Sequence, residues 1–149
     1  MTEVLFYHLD RQPLERVLPE LLEKCLERGW RAVVQVASDE RLEAIDAHLW
    51  TYRDESFLPH GTRKDGPGEG HPVWLTIEAD NPNSAGVRFL ADGAEAIEIA
   101  EYQRVVMLFD GNDPDAVAKA REAWKKVKAD GHEATYWQQS ERGRWEKKG

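Results

Sequence analysis

The sequence predicts an α/β protein built on a parallel sheet, and three observations lead there. Through the first 50 residues, short apolar runs rich in strand formers alternate with amphipathic stretches of helical period, the pattern of crossover units that make parallel sheets. The 149-residue length suits one core, since a domain usually takes about 100–200 residues. The composition, 41% apolar and 32% charged, is too apolar for disorder and too interrupted by charge for a membrane span.

Val4-Leu5-Phe6-Tyr7-His8-Leu9 reads as a buried first strand, because the run is apolar and starts too near the end of the chain for a helix of normal length. From Pro13, Leu14, Val17, Leu18, Leu21, Leu22, Cys25 and Leu26 recur at three- and four-residue intervals until Gly29. That spacing gives an amphipathic helix, kinked or begun late at Pro19. Residues 32–37 read as the second strand, and Ser38 is the expected N-cap of a second helix carrying Leu42, Ile45, Leu49 and Trp50.

Four glycines and three prolines between Pro59 and Pro72 predict a mobile loop. Residues 73–77, 87–90 and 105–109 are the next strands, with a connection of undefined type at 94–102. Asp113-Pro114 caps a final helix with Ala116, Val117, Ala120, Trp124 and Val127 on one side, and Gly131 ends it. A short strand at 135–137 completes a single domain over 1–137, leaving 138–149 as a polar tail.

The net charge is −8, and residues 113–149 are the only part that leans basic, with nine Lys and Arg against seven Asp and Glu. Nucleic-acid affinity comes largely from neutralising phosphates, so tight direct binding is not expected. No glycine-rich loop joins a strand to a helix, which removes support for dinucleotide or P-loop binding. The five histidines show no metal-ligand spacing, and Cys25 lies on the apolar stripe of the first helix as a structural thiol. No cofactor and no metal are expected, and the start of the chain lacks an export signal, so the cytoplasm is the expected compartment.

Two constellations stand out. Val117, Arg121, Trp124, Lys125 and Lys128 lie along one side of the last helix. A tryptophan flanked by cations suits an acidic peptide with a hydrophobic anchor, while the alternative is a core tryptophan beside solvated lysines. Trp50 to His60, including Phe57, Leu58 and Pro59, offers either an exposed aromatic interface or a cover over the sheet edge.

Phe6-Tyr7-His8-Leu9, the stretch Arg28 to Val34, Glu40-Arg41-Leu42, Leu49-Trp50, Ser56 to Gly61, Pro72 to Leu75, Ala120-Arg121-Glu122 and Tyr136-Trp137 together resemble the chi subunit family of bacterial DNA polymerase III. The resemblance implies a three-layer α/β/α sandwich with a mostly parallel sheet. It also implies a non-catalytic accessory subunit of the clamp loader, which holds the acidic, Phe-ended tail of single-stranded-DNA-binding protein and pairs with a psi subunit. By the resemblance, Arg121 meets the tail with Trp124 beside it, and Phe57 matches a residue that faces psi; Leu58 and Pro59, next to Phe57, are expected to share that partner surface. Val117 stands where relatives carry lysine, so Lys125 or Lys128 is expected to supply the missing charge. The rival expectation is a small doubly wound enzyme with its site at the carboxyl ends of the strands, near His8, Asp10, Ser38 and Asp110.

Overall fold

A computed structural model describes residues 2–51, 60–66, 68–91, 94 and 99–148. Seven strands form one sheet: β1 (Glu3–Leu9), β2 (Ala32–Gln35), β3 (Val73–Thr76), β4 (Val87–Leu90), β5 (Arg104–Asp110), β6 (Glu133–Gln139) and β7 (Trp145–Lys147). Their order is β3-β2-β4-β5-β1-β6-β7, parallel throughout except where β7 turns back on β6. Helices α1 (Leu14–Glu27) and α2 (Asp39–Thr51) cover one face, where Leu18, Leu22, Ile45 and Leu49 pack on Val34, Phe89 and Val106. Helix α3 (Pro114–Ala129) covers the other, where Ala120 and Val127 pack on Val4, Phe6 and Val105. The architecture is the expected three-layer sandwich.

The direction of each crossover sets its face. From β1 the chain moves through α1 toward β2, and from β5 it moves through α3 the opposite way to β6. Right-handed connections in opposite directions must lie on opposite faces. The neighbouring strands β5 and β1 therefore straddle the point where the winding reverses, which in sheets of this kind is the usual place for a small-molecule crevice.

Helix α1 runs unbroken through Pro19, which is buried. Proline has no N–H, so the carbonyl four residues earlier, that of Glu15, lacks its helical donor. The His48 ring fills the vacancy, with Nε2 donating to the Glu15 oxygen at 2.5 Å. Arg41 adds a 2.8 Å ion pair to the Glu15 carboxylate, and the Ser38 hydroxyl accepts from the Arg41 N–H as the expected cap of α2.

Two expectations change. The Gly- and Pro-rich stretch, where described, is pinned and not loose: Gly61 donates to the Val73 carbonyl and accepts from the Leu75 N–H. His60 is buried against Asp46 at 2.9 Å, and Thr62 forms a capping box with Asp65. A side chain at Gly61 would meet the His71 ring at 2.6 Å, so glycine density here serves close packing. The expected polar tail also carries structure. β6 continues to Gln139, and β7 returns beside it with Trp145 edge-on to Tyr7, ring centroids 4.9 Å apart.

Candidate functional site

Helix α3 is cut from its surroundings by clear signals. The Asp113 side chain accepts from the Asp115 N–H, Pro114 fills the first turn, and Gly131 leaves the helix at φ 85°. Its sixteen residues place Val117, Arg121, Trp124 and Lys128 at offsets of four, seven and eleven, all within one stripe at about 100° per residue. Val117 and Trp124 are half-buried, whereas Arg121 and Lys128 are exposed.

The stripe faces aromatic side chains from the sheet. β1 sends Phe6 and His8 to this face, β5 sends Phe109 and β6 sends Tyr136. The Trp124 ring stands edge-on to Phe6 at 5.3 Å and to Tyr136 at 6.1 Å between centroids. Lys128 Nζ lies 5.3 Å from the Trp124 centroid, a cation held over an aromatic face. Lys125 sits roughly 80° round the helix from Val117 and pairs with Glu122 at 3.6 Å in solvent. Of the two lysines considered for the charge absent at Val117, Lys128 is the one on the stripe.

Tyr136 links the stripe to the sheet interior. Its hydroxyl is 2.5 Å from His8 Nδ1, and burial pushes its pKa up while the charge of Arg121 opposes that rise. The His8 ring lies edge-on to Phe109 at 5.3 Å, and its Nε2 is 3.8 Å from Asp10 Oδ2. Sequence reasoning placed His8 only among strand-end polar residues and did not bring Tyr136 to this site. Strand alternation carries the missing signal, since Phe6 and His8 share a face and β1 pairs in parallel with β6, Phe6 opposite Tyr136.

Phe57, Leu58 and Pro59, the expected partner surface, lie outside the described residues. The strand-end positions of the rival enzyme reading are described. Gly111 N–H donates to the Leu9 carbonyl at 2.8 Å, and the Asn112 amide reaches the Asp10 carbonyl at 3.5 Å, stitching β1 and β5 together at the winding reversal. The His8 ring packs so closely on Gly111 that any side chain there would collide with it. Asp10, Asp110, Asp113 and Asp115 line a cavity of about 1350 Å³ that opens at this end of the sheet, and Asp113 already occupies the helix N-terminus that an anionic ligand would need. Among the described residues, no group of three or more His, Cys, Asp or Glu side chains could hold a metal ion, and no helix is long and apolar enough to cross a membrane.

These features define a doubly wound α/β protein whose last helix presents a cationic and aromatic face. The chain belongs to the DNA polymerase III chi subunit family (HolC), whose model matches residues 1–135. A similar protein from Rickettsia prowazekii (strain Madrid E), named as a probable DNA polymerase III subunit chi, is 27% identical over 117 residues, covering 74% of this chain and 71% of that one. Membership makes the protein an accessory subunit of the replicative polymerase.

Proposed function

We propose that the α3 face binds the acidic, Phe-ended C-terminal tail of single-stranded-DNA-binding protein, and that the subunit thereby ties that protein to the clamp loader in the cytoplasm. The observation that carries the reading is the half-buried Trp124, backed by Phe6 and Tyr136 and flanked on its own stripe by Arg121 and Lys128. An apolar floor accepts a terminal aromatic side chain, and the cations on either side meet carboxylates. Val117 extends the apolar floor toward the start of the helix, and Lys125 adds positive field from the flank. The role is one of linkage, without chemistry of its own, and the segment with Phe57, Leu58 and Pro59 serves a second partner, psi or another loader subunit.

Calorimetry with an acidic peptide ending in Phe tests the reading. Arg121→Ala should weaken binding by about 1.5–3 kcal/mol, the worth of a charge-assisted hydrogen bond. An unchanged affinity in a folded variant assigns the peptide to another surface.

A further inference from the structure

We infer that the Tyr136 hydroxyl is a second carboxylate-recognition point of the α3 face, and that the protonation state of His8 decides whether it is available. The inference rests on the peptide-binding reading above, which uses the Tyr136 ring as backing for Trp124 and leaves its hydroxyl without a role.

The geometry is a short chain of polar atoms running inward from the stripe. Tyr136 lies beside Trp124 and within reach of the Arg121 charge. Its hydroxyl is hydrogen-bonded to His8 Nδ1 at 2.5 Å, and the far nitrogen of the same ring faces the Asp10 carboxylate at 3.8 Å. Asp10 Oδ2 accepts from the Gln138 amide at 2.7 Å, while Oδ1 is buried with no hydrogen-bond partner among the described residues. Phe109 packs on one side of the ring and Gly111 on another. His8 is therefore fixed in place, with one nitrogen turned to Tyr136 and the other to Asp10.

A hydroxyl owns one proton, so its hydrogen bond to His8 has a direction. With Nδ1 unprotonated, the tyrosine O–H must donate inward to the ring, and the hydroxyl offers a ligand no proton. With both nitrogens protonated, Nδ1–H donates to the tyrosine oxygen, and the O–H is released to donate to a carboxylate on the α3 face. The same proton places a positive charge between Asp10 and the stripe, offsetting the anion that would otherwise repel an acidic peptide. The charged and titratable groups facing the ring are Asp10 from its own strand, Tyr136 from β6 and Arg121 from α3 through Tyr136. Asp110, at the end of β5, is turned to its own turn, accepting from the Asn112 N–H. Both consequences have one sign: an acidic peptide binds the protonated form better.

The test uses the full chain and an acidic peptide ending in Phe, titrated from about pH 8 to about pH 6, where histidine is the side chain that changes charge. Affinity should rise roughly three- to tenfold on acidification, the worth of about one hydrogen bond. Tyr136→Phe keeps the ring and removes the hydroxyl, and should abolish most of that rise. A flat pH profile or a profile preserved in Tyr136→Phe overturns the inference while leaving peptide binding intact. Failure of the unaltered protein to bind the peptide at either pH removes the peptide-binding reading itself, and this inference with it.

Discussion

Pro19 shows how one residue's missing atom dictates another's position. The Glu15 carbonyl loses its helical donor because Pro19 has no N–H, and His48, from the neighbouring helix, donates in its place. His48→Ala should cost about 1–3 kcal/mol in urea denaturation, as a part-buried acceptor loses its partner. In a Pro19→Ala background residue 19 regains its N–H, so the cost of His48→Ala should shrink, and a double-mutant cycle reads the difference. Glu15 itself is held below the usual carboxylate range, chiefly by its hydrogen bond from Arg41. A folded pKa below the unfolded one contributes stability at neutral pH that is lost as pH falls from about 4.5 through the folded value. Arg41→Ala should therefore flatten the acid limb of the stability profile, a small effect because the pair is well exposed to solvent.

At the scale of elements, β2 and β3 were legible in the sequence because apolar residues dominate each short run, and both are buried at every position, as strands covered on both faces must be. β7 was not, since only Trp145 of its three residues is apolar and its partner strand supplies the reason it forms. The pinned residues from His60 to Asp65 were equally hidden, because polar side chains and the Gly61 backbone hold them and leave no periodicity. The stripe on α3 could be read from spacing alone. Its aromatic backing could not, because His8 and Tyr136 are 128 positions apart and meet only through strand register. Phe57 separates two element-level readings of its segment. As a partner surface, Phe57→Ala should leave the melting temperature near the parent's while loader or psi binding is lost and peptide binding survives. A core role would instead cost about 3–5 kcal/mol through the cavity.

For the whole molecule, charge and topology point the same way. A net charge of −8 with a basic lean confined to residues 113–149 suits selective contact with an acidic partner and opposes broad contact with a phosphate backbone. Labelled single-stranded oligonucleotide should show no micromolar binding by anisotropy at physiological salt, and tight binding would reveal a groove the charge balance hides. On the proposed reading the partner peptide lies along α3 and against β6, away from the carboxyl ends of the strands. Amide and indole chemical shifts recorded while an acidic peptide ending in Phe is titrated into the labelled chain test it most directly. Shifts should concentrate at Val117, Arg121, Trp124, Lys128 and Tyr136, with the Trp124 indole among the largest; shifts confined to the β3 edge or the α1 and α2 face would put the peptide elsewhere.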